Sequence, residues 1–123
     1  MKNAKILIKR GRVIDPLTGI DQIADVLIID NKIQSVDTNI DLSAGPDVME
    51  ITAEGLVVCP GFVDLHAHLR EPGFEYKETI ATGTKAAVKG GFTSVCAMPN
   101  TDPAIDTPSM IEFVKMKGKS DAS

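Results

Sequence analysis

The chain has 123 residues, 43% of them hydrophobic and 24% charged, with a formal net charge of −4 and a pI near 5.1. These proportions suit one modest globular core and exclude a disordered chain. Lys and Arg are scattered rather than clustered, which leaves no electrostatic footprint for nucleic acid, and no stretch approaches the ~20 apolar residues of a membrane span.

The start, Met1-Lys2-Asn3-Ala4-Lys5-Ile6-Leu7-Ile8, lacks the longer apolar core of a signal peptide, so a cytoplasmic protein is expected. Residues 5–9 and 12–14 predict short strands on either side of Gly11, and Asp15-Pro16-Leu17-Thr18-Gly19 predicts a loop. Residues 24–29 read as a buried strand, Asp30-Asn31 as a two-residue hairpin turn, and residues 32–36 as the returning strand. Residues 48–52 and 56–58, placed around Glu54-Gly55, complete a small sheet-rich unit over residues 1–59. It carries no chemical motif of its own.

At Pro60-Gly61 the pattern changes to α/β periodicity. Residues 62–65 predict a strand and residues 71–76 a loop. Residues 77–89 predict a helix with Ile80, Thr84, Ala87 and Val88 on one face, stopped by Gly90-Gly91. Residues 92–98 predict the next strand, Pro99-Asn100-Thr101-Asp102-Pro103 a loop, and Thr107-Pro108 the opening of a helix over residues 109–117. Strand, helix, strand, helix implies parallel strands with a right-handed crossover. A parallel sheet needs both faces covered, and residues 60–123 supply only about a quarter of the roughly 250 that a closed eight-stranded barrel takes. The chain is therefore expected to continue past Ser123, with the polar residues 117–123 as a surface loop. Cys59 and Cys96 have no metal-type spacing and are predicted to be buried free thiols.

The chemistry concentrates in Asp64-Leu65-His66-Ala67-His68-Leu69-Arg70, which ends an apolar run and leads into Glu71-Pro72-Gly73. His66 and His68 are the only histidines. Strand alternation would put them on one face with Cα atoms roughly 6.6 Å apart, so that two imidazoles converge on one cation. Arg70 would extend the same face if the strand persists, where a guanidinium can hold a carboxylate by paired hydrogen bonds. A catalytic zinc takes three protein ligands and water, so the pair alone is incomplete. Asp64 is open to three readings: a support for a neighbouring ligand, a structural carboxylate, or a metal contact.

The run from Asp64 to Pro72 resembles the dihydroorotase motif of the amidohydrolase superfamily. Phe74-Glu75-Tyr76-Lys77-Glu78-Thr79, Gly83-Thr84, Gly90-Gly91-Phe92-Thr93 and Ala97-Met98-Pro99-Asn100-Thr101 follow the same family's order and spacing. The resemblance implies an α/β protein: the amino-terminal part of a small β-sandwich domain (residues 1–59), then the first βα units of an incomplete TIM (β/α)8 barrel (residues 60–123). It implies reversible hydrolysis of L-dihydroorotate to N-carbamoyl-L-aspartate in pyrimidine biosynthesis, with the 123 residues alone inactive. Carried over by position, His66 and His68 would ligate zinc, one ion or two, while Arg70 and Asn100 would hold the substrate carboxylate. Asn100 also reads simply as a turn former ahead of Asp102-Pro103. The acid/base aspartate and further ligands would follow Ser123. A small-molecule substrate and a homodimer are implied, with association with aspartate carbamoyltransferase in some relatives. The alternatives are another cyclic amidohydrolase, of hydantoinase, dihydropyrimidinase or allantoinase type, or a non-catalytic structural partner of aspartate carbamoyltransferase.

Overall fold

The computed structural model describes residues 5–42 and 48–121; the expectations for residues 1–4 and for the last two residues of the tail lie outside them. The chain divides into two compact units, Met1–Pro60 and Gly61–Ser123.

The first unit is a five-stranded sheet. Strand β1 (Lys5–Asp15) pairs antiparallel with β2 (Ile20–Ile29), which pairs antiparallel with β3 (Lys32–Asp37). On its other side β1 pairs in parallel with β4 (Val48–Thr52) over Lys5 to Lys9 and with β5 (Val57–Val58) at Arg12 and Val13. The Asp30-Asn31 turn forms as expected, both residues adopting the positive φ (48° and 63°) that a tight hairpin of this hand requires. The Asp15 loop also forms, closed by Gly19 N–H donating to Asp15 O at 2.9 Å and by the Asp15 carboxylate accepting from Leu17 N and Thr18 Oγ1.

Gly11 does not separate two strands. One continuous strand runs through it, and a β-bulge falls just before it: Ile8 pairs with Val26 and Gly11 with Ala24, so Lys9 and Arg10 together face Asp25. Arg10 takes φ 59°, and its N–H, turned out of the ladder, donates to Asp25 Oδ1 at 2.9 Å. Oδ2 of the same carboxylate accepts from Ile40 N at 3.1 Å. The extra residue lets Ile8 and Val13, five positions apart, pack in one apolar cluster with Ala24, Val26, Val36 and Val58. Gly11 is needed for close approach instead, since a Cβ there would lie 2.5 Å from Val58 Cγ2.

In the second unit, β6 (Phe62–Ala67) pairs in parallel with β7 (Phe92–Ala97), and α1 (Ile80–Lys89) crosses between them. α2 (Pro108–Ser120) follows β7 and contacts α1. The order agrees with the sequence expectation, but the helix ends differ. α1 starts three residues later than predicted because Thr79 caps it: its hydroxyl accepts from Thr82 N, and Thr82 Oγ1 accepts from Thr79 N. Its buried residues are Ile80 and Gly83, whereas Val88 is 54% exposed. α2 opens on the Thr107 cap with Pro108 in its first turn, and it continues through residues 117–120, where a surface loop was expected.

Cys59 and Cys96 are both exposed free thiols, contrary to the burial predicted for them. Cys96 lies on a two-stranded sheet whose faces are not closed; for the same reason Val63 and Leu65 are 57% and 73% exposed. No helix among the described residues is long and apolar enough to cross a membrane.

Two expectations follow. The Asp25 carboxyl is buried, which pushes its pKa up, but the N–H groups of Ile40 and Arg10 and the charges of Lys9 and Arg10 outweigh this and hold it below its ordinary value. A lowered folded-state pKa contributes stability above the ordinary carboxylate pKa of about 3.9, and that stability is lost as pH falls through the folded value. Asp25→Asn turns an amide NH2 toward one of two N–H donors and should cost about 1–3 kcal/mol. Urea unfolding at neutral pH, and again between about pH 5 and pH 2, should show that loss and a shallower acid limb. Second, the isolated 123-residue polypeptide should self-associate through its uncovered sheet faces. Light scattering on a size-exclusion column checks this, and a monomer with sharp, dispersed amide resonances would contradict it.

Candidate functional site

β6 is not a regular strand where it matters. Asp64 pairs with Val95 and Ala67 with Ala97, so one extra residue sits on β6 at Leu65 and His66. The His66 N–H donates to Asp64 Oδ1 at 2.9 Å, so the Asp64 carboxylate serves the backbone of a histidine. Bulges of this kind re-aim side chains beside functional sites. His68 follows the last strand residue, and its ring still converges on that of His66: the two Nε2 atoms are 3.2 Å apart and the ring centroids 5.0 Å.

Asn100 completes the group from the second strand end. Its Oδ1 lies 2.9 Å from His68 Nδ1. A side-chain carbonyl only accepts, so in this contact Nδ1 of His68 is the donor, and in the neutral ring that tautomer leaves the Nε2 lone pair on the side of His66. Two ties bring the loops after β6 and β7 together. Asp102 N–H donates to Pro72 O at 3.1 Å, and Gly73, at φ 94°, lies so close to the Asp102 backbone that any Cβ would overlap it. Met98 N–H also donates to Ala67 O at 2.8 Å.

The expected extension of the His66 face through Arg70 does not occur, because the strand ends at Ala67 and Arg70 takes φ 64°. Glu71 N–H donates to Leu69 O at 2.8 Å across it, which makes Arg70 the centre of a γ-turn of the rare, strained hand. Arg70 is half-buried, and no hydrogen bond or ion pair engages its guanidinium among the described residues. The structure thus gathers His66, His68 and Asn100 by direct contact, while Arg70 stands two residues past His68 with no hydrogen bond to them among the described residues.

Sequence reasoning missed Glu71, although it stands in the motif. Its carboxylate is only 7% exposed; Oε2 accepts from Ile80 N at 2.8 Å and Oε1 pairs with Lys117 Nζ at 3.2 Å. An acidic residue before a Pro-Gly loop reads as solvent-facing, and only the packing of α1 and α2 buries it. Nearby, both Glu75 oxygens accept from Gly73 N–H, the first cause of a Glu75 carboxyl held below its ordinary value.

The site fits a metal in part. A tetrahedral ion with nitrogen ligands at about 2.0–2.1 Å holds them about 3.3–3.4 Å apart. The 3.2 Å separation of the two Nε2 atoms matches that spacing. The same contact accommodates one N–H···N bond when His66 is protonated at Nε2. Among the described residues no third His, Cys, Asp or Glu joins them. A cleft of about 350 Å3 opens beside the pair, lined by Asp64, His66, His68, Glu78, Gly83 and Val95 among others.

The dihydro-orotase-like family profile matches residues 55–123. The chain belongs to that family. A dihydroorotase of Ruminiclostridium cellulolyticum is 51% identical over 117 residues, which are 95% of this chain and 27% of that protein. A dihydroorotase of Aquifex aeolicus is 45% identical over 116 residues, 94% of this chain and 27% of that protein. The chain therefore spans about a quarter of the length of the curated relatives it matches. Among solved structures, the L-hydantoinase (dihydropyrimidinase) of Arthrobacter aurescens matches with a TM-score of 0.75 at 27% identity, covering 94% of this chain and 24% of that one. The dihydropyrimidinase of Brevibacillus agri matches with a TM-score of 0.77 at 31% identity, covering 96% and 25%.

Asn100→Leu should release the His68 tautomer while leaving both imidazoles in place. Ring nitrogen NMR of the full-length protein checks this: the wild type should give a His68 protonated at Nδ1, and the variant a mixture of tautomers.

Proposed function

We propose that the chain is the amino-terminal part of a zinc-dependent dihydroorotase, which reversibly hydrolyses L-dihydroorotate to N-carbamoyl-L-aspartate in pyrimidine biosynthesis. The observation that carries the reading is the convergence of two imidazole Nε2 atoms at 3.2 Å, in a chain about half identical to named dihydroorotases. In this reading residues 1–59 belong to a small β domain and residues 60–123 begin a TIM barrel. The parallel β6-α1-β7-α2 order is what such a barrel is built from, and its active sites gather past the carboxyl ends of the strands, where His66, His68 and Asn100 meet.

His66 and His68 would hold the zinc, with further ligands and an acid/base aspartate from later strands. When bound, the ion supplies Lewis acidity toward the scissile carbonyl and lets water act as a nucleophile near neutral pH. Asn100 sets the His68 tautomer through its oxygen and keeps its NH2 to donate to a substrate carboxylate. Arg70, uncommitted to any protein carboxylate among the described residues, would hold that carboxylate by a bidentate pair. Substrate binding then orients the ring amide before water attacks, opening the C–N bond and leaving the nitrogen to take a proton.

The likeness to solved hydantoinases favours a second reading, a hydantoinase or dihydropyrimidinase. Arg70 together with Asn100 argues for a substrate bearing a free carboxylate. The discriminating assay uses the full-length protein with dihydroorotate and with a hydantoin that has no carboxylate. Dihydroorotate should be hydrolysed in preference, with activity lost on chelation and restored by zinc. Arg70→Met should raise KM for dihydroorotate by roughly tenfold or more. Preference for the hydantoin, or kinetics indifferent to Arg70→Met, would defeat the reading.

A further inference from the structure

The strained turn that carries Arg70 is held at both ends. On one side Leu69 is 8% exposed and packs over the bare backbone of Gly83 on α1, where an added Cβ would lie 2.7 Å from Leu69 Cδ2. On the other side Glu71 is buried. Its Oε2 takes Ile80 N–H, the first of α1, at 2.8 Å, and its Oε1 pairs with Lys117 of α2 at 3.2 Å. Lys117 also binds Asp121 at 2.7 Å, so the ammonium is held from two sides. A carboxylate at a helix amino terminus gains from the helix dipole as well as from its charge-assisted hydrogen bonds. Arg70 O accepts from Phe74 N at 3.0 Å, which closes the loop that follows. The turn is thus tied to both helices of the unit, and the Arg70 guanidinium has no hydrogen bond or ion pair among the described residues. A sparsely populated backbone conformation persists only where its surroundings over-determine it, and such conformations cluster at functional sites.

We propose that Glu71 is the positioning residue for Arg70: its carboxylate, fastened to α1 and to Lys117, holds the γ-turn that presents the guanidinium to the substrate carboxylate. The proposal rests on the reading of Arg70 as the carboxylate clamp. Glu71 touches neither substrate nor reacting atoms and acts through its neighbour. Lys117, far along the sequence and on a different helix, thereby becomes a determinant of substrate affinity.

The test is a mutant cycle in the full-length enzyme with dihydroorotate as substrate. Glu71→Gln keeps an oxygen for Ile80 N–H but turns an NH2 toward Lys117. It should raise KM on the order of tenfold with kcat within about twofold, the pattern of lost ground-state binding rather than lost chemistry. Lys117→Met should shift KM in the same direction by about threefold, and it provides the test should Glu71→Gln fail to fold. In the Arg70→Met background neither change should raise KM further, because two residues acting through one interaction are not additive. Wild-type KM in both Glu71→Gln and Lys117→Met would overturn the proposal. So would a fall in kcat at constant KM, which marks a merely structural role, or an undiminished effect in the Arg70→Met background. If Arg70→Met itself leaves KM unchanged, the clamp reading falls and the proposal with it. If Arg70→Met raises KM and the other two variants do not, the proposal alone fails.

Discussion

A backbone N–H turned out of its ladder has to find an acceptor, and this chain meets that demand with carboxylates. Asp25 takes the N–H groups of Arg10 and Ile40, Asp64 that of His66, and Glu71 that of Ile80 at the start of α1. Each marks a place where regular structure is interrupted: a bulge in β1, a bulge in β6, and the entry to a helix. An ionised carboxylate makes a strong acceptor for such groups and, when buried, is tolerable only if fully engaged. The irregular positions are thus among the most tightly specified.

The candidate site depends on that device. Regular strand alternation would have placed His66 and His68 on one face by itself. The bulge breaks the alternation at His66, and His68 stands beyond the strand, yet their ring nitrogens meet at 3.2 Å. Convergence comes from the bulge held by Asp64, from Asn100 on His68, and from loops joined by the Asp102 to Pro72 hydrogen bond and the bare Gly73 backbone. Arg70 owes its backbone conformation to the same kind of local interruption: past the strand end the chain folds into a γ-turn centred on it.

The two units place different demands on their residues. In Met1–Pro60 the apolar side chains of β1, β2, β3 and β5 make a cluster of their own. In Gly61–Ser123 two strands and two helices leave Val63 and Leu65 exposed, and α2 has no fully buried residue. Parallel strands are normally covered on both faces. The second unit therefore has the surface of a partial layer, in keeping with a chain that spans about a quarter of its curated relatives.

What the sequence alone determined were features set by local chemistry: the Asp30-Asn31 turn, Thr107-Pro108 as a helix start, the Gly90-Gly91 stop, and the parallel order of β6 and β7. The His-x-His pair stood out too, as the only two histidines of the chain, and the structure brings their rings together. The tertiary structure decided whatever depends on partners distant in the chain. Gly11 read as a break because the bulge reverses the alternation of β1, and the reversal becomes visible only against β2. Val88 looked like a core residue from helical spacing; the predicted face does turn inward at Ile80 and in part at Thr84 and Ala87, but the buried stripe runs through Gly83 beneath Leu69 and leaves Val88 exposed. Cys96 looked buried because its run is apolar, and burial is a property of what packs against a strand rather than of its composition. Glu71 is the same lesson reversed: a charged residue in a loop is buried because a helix amino terminus and a lysine from another helix arrive to meet it.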